Sequence, residues 1–363
     1  MDNQKLRPYD GLALAAFLTL PGLFFTAPAM IIARSAAASW MSVLLGHAGV
    51  LCVFLLTTVL LGRYPGKDLL ATAGAVLGRG AGLCYSVLLA AYFCVYTGLW
   101  VREGAEILKA YGMSLTPLCV LAGFIALSAL TMNLLGGKAI TKSAGIFFLF
   151  VLAGAVFILI LGLNRYNPDY LFPLYGYGGT SIARSALTTT CMAEGVLLLA
   201  LLAPSFESTA KLRKAGAAAL GISGVMWVLF FLCLVMIFSP AIASGMVSGF
   251  MEMGKSIYYN RFFYRFESFL LFFLIFSLAM TTCIGSYIAR KSAGSAFGGA
   301  GPRVLTVICA GIVLAVSLVP GNLAQLTSRY FAITRQYSAF FVLGVPLLLF
   351  VISSLKGVPK DAN

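Results

Sequence analysis

The sequence predicts an all-α membrane protein with ten transmembrane helices arranged as two inverted repeats of five. Hydrophobic residues fill 61% of the 363 positions and charged residues only 10%, whereas about a quarter of a soluble domain is charged. Ten apolar windows reach the roughly twenty residues that a helix needs to cross a bilayer. The first and sixth windows contain helix-breaking residues, at corresponding places in the two sets of five, and because five is odd the two sets have opposite topology.

The ten spans make up one integral membrane domain over residues 1–363, with a first repeat near 9–163 and a second near 181–355. They lie near residues 9–33, 38–62, 79–106, 115–134, 140–163, 181–203, 215–239, 262–289, 303–319 and 336–355. If both termini are cytoplasmic, 15 of the 25 Lys and Arg residues fall on the inner side. The positive-inside rule therefore favours cytoplasmic N- and C-termini.

The first span is interrupted in the stretch LTLPGLFFTAPAM, residues 18–30, by Pro21, Gly22 and Pro28. Proline removes a backbone donor and clashes with the preceding turn, while glycine tolerates an unwound backbone. Proline and glycine also occur in transmembrane helices that are merely kinked. This interruption alone leaves both interpretations open.

The sixth span reads TTTCMAEGVLLLALLAP over residues 188–204 and places Glu194 near its centre, followed by Gly195. A carboxylate at that depth costs at least ~2.5–3.5 kcal/mol. Paired interruptions in inverted halves are typical of a binding site at the bilayer midplane of secondary transporters. The alternative is that Glu194 is a protonated packing residue bonded to a neighbouring helix.

A midplane site has definite chemistry, because each broken helix begins its second half there and directs a positive dipole end into the cavity. N–H groups around residues 22–24 are expected to bind a ligand carboxylate. Carbonyls near residues 189–191, or an ionised Glu194, are expected to take the ligand's ammonium. The predicted ligand-binding residues are Pro21, Gly22, Leu23, Phe24, Thr26, Tyr92, Tyr96, Thr190, Cys191, Glu194 and Gly195.

A cation site is a second hypothesis. Thr281, Thr282 and Ser286 place hydroxyls on the cytoplasmic half of span eight, toward the broken first span. Oxygen ligands of this kind suit a hard cation such as sodium. The alternative is that these hydroxyls bond to the backbone of their own helix.

An outer gate is a third hypothesis, built on Arg102 and Glu106, which stand four residues apart at the outer end of span three. Arg265 and Glu267 open span eight and are candidates to pair with them. A solvated helix end explains the first pair equally well. The amphipathic connection 240–261 is expected to shield the outer vestibule.

Neither an enzyme nor a cofactor is indicated. The eight cysteines form no CxxC pair, there is one histidine, and no phosphate-binding loop or nucleophile–base pair is recognisable. We therefore expect no disulfide, metal or cofactor. The net charge of +14 is better explained by membrane orientation and anionic lipid contact than by nucleic-acid binding.

Four segments together carry a resemblance to a known family. They are KLRPYDGLALAAF (5–17) ahead of Gly22 and Pro28, Arg102 and Glu106 followed by Leu115-Thr116-Pro117, MAEGVLLLALLAP (192–204) and FFYRFESFLLFF (262–273). In order and spacing the chain resembles the B subunit of bacterial spore germinant receptors. These form the endospore germination permease branch of the amino acid–polyamine–organocation superfamily.

The resemblance implies a leucine-transporter-like fold and a role in sensing a small germinant such as an amino acid. It also implies a place in the spore inner membrane or cell membrane, beside an A subunit and a lipoprotein C subunit. Composition supports a second function equally well, that of a stand-alone amino acid/cation symporter.

Overall fold

The described chain is helical throughout, and no strand occurs in the residues described. This computed structural model describes residues 5–256, 266–299 and 301–356, with Phe266 and Glu267 described by their backbone alone. The helices are α1 (Pro8–Thr19), α2 (Ala27–Ser35), α3 (Ser39–Gly62), α4 (Leu69–Leu77), α5 (Arg79–Tyr111), α6 (Leu118–Leu135), α7 (Gly137–Leu161), α8 (Gly179–Cys191), α9 (Gly195–Leu201), α10 (Thr209–Ile237), α11 (Pro240–Ala243), α12 (Gly249–Ser256), α13 (Phe266–Ala296), α14 (Pro302–Ser317), α15 (Leu323–Gln325), α16 (Phe331–Ala339) and α17 (Val345–Lys356).

Each predicted span corresponds to an apolar helical stretch. In the part of the chain that the structure describes, eight stretches are long and apolar enough to cross a membrane: Ala27–Gly62, Arg79–Tyr111, Leu118–Leu135, Gly137–Arg165, Gly179–Leu201, Thr209–Ile237, Ser268–Ala296 and Leu323–Lys356. Pro8–Phe24 and Pro302–Ser317 are shorter apolar stretches. Pro8–Phe24 and the first part of Ala27–Gly62 together form the first predicted span, so the pattern of ten is retained.

Both predicted helix breaks are confirmed. The first span divides into α1 and α2, joined by a tight turn over Pro21–Phe24 and an extended residue, Phe25. The sixth divides into α8, which ends at Cys191, and α9, which begins at Gly195. The cause in the first span is Pro21, whose missing N–H cannot continue the backbone ladder.

The first break leaves two backbone carbonyls of α1 without a hydrogen-bond donor in their own helix. Side chains from other helices donate to them instead. The carbonyl of Phe17 would accept from residue 21 in an α-helix, but residue 21 is proline, and Thr281 Oγ1 of α13 donates to it instead, at 2.8 Å. Leu23 N donates to Leu20 O, which leaves the Thr19 carbonyl to accept from Trp227 Nε1 of α10 at 2.8 Å. These two bonds fix the end of α1 between α10 and α13.

The two breaks lie side by side. A Cβ added at Gly195, the first residue of α9, would approach Thr19 Cγ2 to 3.0 Å and the Ala15 carbonyl to 3.1 Å. The start of α9 therefore rests directly on the end of α1. Glycine permits this approach because it has no side chain.

The tenth span begins earlier than predicted. It was expected at residues 336–355, but the helical stretch runs from Leu323 to Lys356. Two π-helical turns, at Leu326–Tyr330 and Phe340–Gly344, interrupt it on either side of α16. The polar residues of the stretch SRYFAITRQYS (328–338) lower its hydropathy, which placed the predicted start too late. The eighth span was predicted from residue 262, and residues 262–265 lie outside the described chain.

Glycine is required where α4 meets the first turns of α5. A Cβ at Gly82 would lie 2.5 Å from Gly74 Cα and 2.7 Å from Gly74 N, and backbone atoms cannot move aside as a flexible side chain can. We expect Gly82→Ala to destabilise the protein by about 1–3 kcal/mol, the usual cost of overpacking. Thermal unfolding of the purified protein in detergent measures this. Gly80→Ala is the matched control, since a Cβ there meets nothing within 4 Å; equal melting temperatures for the two variants would contradict the close contact.

Candidate ligand-binding site

A small cavity lies where the two helix breaks meet. Its volume is about 40 Å³, room for roughly three water molecules. A larger ligand can enter only if the walls move apart. The wall is formed by Leu18, Thr19, Gly22, Phe25, Thr26, Ala27, Tyr92, Tyr96, Trp100, Glu103, Met192, Glu194, Trp227, Phe331, Thr334, Arg335 and Ser338.

Glu194 lies on this wall, buried to 3% exposure, between α8 and α9. Three hydroxyls surround its carboxylate. Tyr92 donates to Oε1 at 3.0 Å and Tyr96 donates to Oε2 at 3.3 Å. The Ser338 hydroxyl lies 3.0 Å from Oε1 and shares its single proton with the Cys191 carbonyl. An ionised carboxylate accepts hydrogen bonds and donates none. A tyrosine donor at each oxygen suits that form and holds the carboxylate in place.

Tyr92 and Tyr96 line the same cavity. Their rings are stacked, with centroids 5.8 Å apart. Both side chains are buried on one face of α5. One helix therefore contributes two of the three hydroxyls that bind Glu194.

A second buried carboxylate, Glu103, was not among the predicted binding residues. It accepts the Thr26 backbone N–H at 2.9 Å and also the Thr26 hydroxyl. Thr26 is the residue that precedes α2, so Glu103 neutralises the positive N-terminal end of that half-helix. Glu103 stands seven residues after Tyr96, two turns along one face of α5, and that spacing was the signal for its role.

The tenth span contributes a third set of residues that the sequence analysis missed. Phe331, Thr334, Arg335 and Ser338 follow each other at steps of three, one and three residues and line the cavity from one face of α16. The π-helical turns on both sides of α16 are of a kind that often marks functional sites. The tenth span was predicted to begin at residue 336, so this spacing of residues was not recognised in the sequence.

The predicted ligand-binding residues divide into two groups. Those that line the cavity are Gly22, Thr26, Tyr92, Tyr96 and Glu194. The others build the breaks around it and are Pro21, Leu23, Phe24, Thr190, Cys191 and Gly195.

The residues that build the breaks are held in place by contacts with other elements. The ring of Phe24 packs edge-on against Phe250 at 4.5 Å. Thr190 donates to the Gly46 carbonyl of α3 at 3.0 Å. The Cys191 carbonyl accepts from the Ser338 hydroxyl, so α16 contacts both the end of α8 and Glu194.

The candidate cation residues lie beside the first break. Thr281 donates to the Phe17 carbonyl of α1, and not to the backbone of its own helix. Thr282 Oγ1 is buried and has no hydrogen-bond partner within the described chain. Ser286 is buried as well. A sodium site at these hydroxyls stays a prediction.

The outer-gate candidates are only partly described. Arg102 Nη2 lies 2.8 Å from Glu106 Oε1, and Arg102 Nη1 donates to the Ser317 carbonyl of α14 at 3.5 Å. Arg102 is buried to 6% exposure. Arg265 and the side chain of Glu267 lie outside the described residues, so pairing between the two clusters stays a prediction.

A larger space, here called the vestibule, adjoins the cavity on the side of α2. Its volume is about 620 Å³. It is lined by Thr26, Ala29, Met30, Arg34, Ser244, Gly245, Met246, Val247, Leu323, Ala324, Thr327, Ser328, Ala332 and Arg335. Thr26 and Arg335 line both the vestibule and the cavity, and therefore mark the boundary between them.

The connection after α10 contributes to the vestibule wall, and its lid role can be tested at Met246. We expect a cysteine at Met246 to react with a maleimide more slowly when ligand is bound, because closure would bury it. The parent for labelling carries serine at the exposed Cys52, Cys84 and Cys119. Ile242→Cys, at a site 60% exposed, is the control that should react equally in both conditions. Equal labelling of Met246→Cys with and without ligand would exclude the lid.

Comparison with known proteins agrees with this architecture. The family described as "Spore germination protein" matches residues 14–326. Spore germination protein YndE of Bacillus subtilis (strain 168) is 24% identical over 330 residues, which cover 86% of each chain. The solved structure of Mhp1, a nucleobase-cation-symport-1 family transporter in a closed conformation with bromovinylhydantoin bound, superposes with a TM-score of 0.67 at 12% identity. That match covers 99% of this chain and 96% of Mhp1. The leucine-transporter-like fold is thereby confirmed.

Proposed function

Because the chain belongs to the family of spore germination proteins, a family of multi-pass membrane permeases and not of enzymes, we propose that it is the germinant-sensing subunit of a spore germination receptor. It binds a small molecule such as an amino acid where the two helix breaks meet. Binding changes the arrangement of the broken helices, and this change passes to an A subunit and a lipoprotein C subunit. The protein lies in the spore inner membrane with both termini on the core side.

The observation that carries the proposal is Glu194 on the cavity wall. Intramembrane carboxylates mark ligand or ion pathways by default, and this one is oriented by three hydroxyls from two helices. An ammonium group entering the cavity would find a fixed anion. The half-helices α2 and α9 then offer a way to convert occupancy into movement, since both begin at the breaks beside the cavity.

Ligand-dependent thermal stabilisation tests the proposal. The purified chain is heated in detergent with each common amino acid and sugar, and a ligand that binds the folded state raises the melting temperature. We expect stabilisation by at least one amino acid. Co-purification with A-type and C-type subunits encoded beside its gene tests the receptor assembly. If neither amino acid nor sugar stabilises the chain, the proposal fails.

A stand-alone amino acid/cation symporter is the second candidate, favoured by the unpartnered Thr282 hydroxyl close to Thr281, which bonds to α1. If a sodium ion binds there, ligand affinity should be higher in sodium chloride than in choline chloride. Thr282→Val should abolish this difference and Thr282→Ser should retain it. Equal affinity in both salts removes the sodium site. Uptake of labelled amino acid by proteoliposomes containing this chain alone would favour the symporter.

A further inference from the structure

We infer that Arg335 binds the carboxylate of the ligand, so that an α-amino acid lies with its carboxylate toward the vestibule and its ammonium at Glu194. This inference rests on the proposed function and names the chemistry of one end of that site. It replaces the expectation that backbone N–H groups near residues 22–24 bind the carboxylate alone.

The charge of Arg335 lacks an ionic partner. Its Nε is buried without a hydrogen-bond partner, and Nη1 contacts the Met30 thioether, a weak acceptor. Its guanidinium carbon lies 5.5 Å from the centroid of the Phe331 ring. Within the described chain no carboxylate oxygen lies within the 4.0 Å that defines an ion pair with it. Charged groups inside a membrane protein normally pair with one another, so an external anion is the missing partner.

The position of Arg335 suits a ligand that enters from the vestibule. Arg335 lines both the vestibule and the cavity. Glu103 and Glu194 attract its charge, whereas Arg34 repels it. The planar guanidinium can bind both oxygens of a carboxylate at once, which an isolated N–H cannot.

Two of the backbone N–H groups that would compete for a carboxylate already have acceptors. The Thr26 N–H at the start of α2 is bound to Glu103, and the Leu23 N–H donates to Leu20 O. A ligand carboxylate near Thr26 would also lie beside the Glu103 carboxylate and be repelled by it. Arg335 is therefore the better receptor for negative charge on this wall.

Ser338 connects Arg335 and Glu194 along one face of α16. Ser338 donates to Glu194, and Arg335 stands three residues before Ser338 on the same face of α16. Residues three apart on a helix have Cβ atoms about 5–6 Å apart. Arg335 and Glu194 both line the cavity, and its small volume favours short apolar side chains on the ligand.

The test compares ligands with and without the negative charge. Melting temperatures of the purified full chain are titrated with L-alanine, L-valine and L-leucine, and with the carboxamide of each. We expect the parent to bind at least one acid about 10- to 100-fold more tightly than its amide, in keeping with a charge-assisted bond. Arg335→Gln should lose this preference by weakening the acid alone, so that unchanged amide binding shows that the variant is folded.

Two variants serve as controls. Arg335→Lys keeps the positive charge but loses the planar guanidinium that binds both carboxylate oxygens, and it should retain part of the preference for the acid. Arg63→Gln removes an arginine that lines neither the cavity nor the vestibule and donates to the Ser354 hydroxyl at 2.8 Å, and should leave the preference unchanged.

The outcomes separate the two proposals. If Arg335→Gln still prefers acid to amide, or if the parent binds both equally, Arg335 is not the carboxylate receptor, while binding of either compound leaves the proposed function standing. If none of the six compounds stabilises the parent, this inference fails, and the wider amino acid and sugar panel then decides the proposed function.

Discussion

On the proposed function, spores in which this protein carries Glu194→Gln should need about 10- to 100-fold more germinant than the parent to respond. Glutamine keeps the shape of the side chain, and its oxygen can still accept a bond from Tyr92 or Ser338. The amide carries no charge, so a ligand ammonium loses an ionic bond of about 1.5–3 kcal/mol. Membrane insertion and subunit assembly should be normal, because the side-chain volume is unchanged.

Germination of spores over a concentration series, and thermal stabilisation of the purified chain by the same ligand, measure this effect. Glu207→Gln is the matched control, since Glu207 is an exposed carboxylate paired with Lys211 outside the cavity. Tyr96→Phe should have a smaller effect than Glu194→Gln, because it removes one of three hydroxyl donors and leaves the charge. An unchanged dose response for Glu194→Gln would show that its charge is not used for binding.

Glu103→Ala should lower the stability of the folded protein by removing a bond that holds the start of α2. It removes the acceptor of the Thr26 backbone N–H, and a buried donor left without a partner costs about 1–3 kcal/mol. It also leaves the start of α2 without its compensating negative charge. Glu103→Gln should be milder, since the amide oxygen can accept the same bond.

Thermal unfolding of the three proteins without ligand measures the difference. Thr26→Val is the informative control, because it removes the hydroxyl bond to Glu103 and keeps the backbone bond. We expect Glu103→Ala to melt at the lowest temperature, with Thr26→Val between it and the parent. A Glu103→Ala protein as stable as the parent would mean that the bond contributes nothing to holding the break.

The sequence was most informative at residues whose chemistry is incompatible with a continuous helix in lipid. Pro21 cannot donate a backbone hydrogen bond and Glu194 cannot face lipid, so each marks a break by its chemistry alone. Tyr92 and Tyr96 followed, because one turn separates them and their depth matches that of Glu194. None of these inferences needed knowledge of how the helices pack.

The roles of the residues that the sequence analysis missed depend on contacts between helices, and these cannot be read from the sequence. Glu103 stood beside Arg102 and Glu106 in what the sequence suggested was the end of span three, at residue 106. The helix α5 continues to Tyr111, which places Glu103 eight residues, or about 12 Å at 1.5 Å per residue, inside its end. Its partner, the Thr26 N–H, belongs to a helix 77 positions away.

The charged side chains on the cavity wall also determine the net charge of the cavity. Glu103, Glu194 and Arg335 all face it, and when all three are ionised the compartment is left unbalanced by one negative charge. A zwitterion adds nothing to that balance, and an uncompensated charge away from water is costly. The cavity therefore takes up one proton or metal cation whether or not a zwitterion is bound, whereas a simple amine would restore neutrality by itself and should displace that cation.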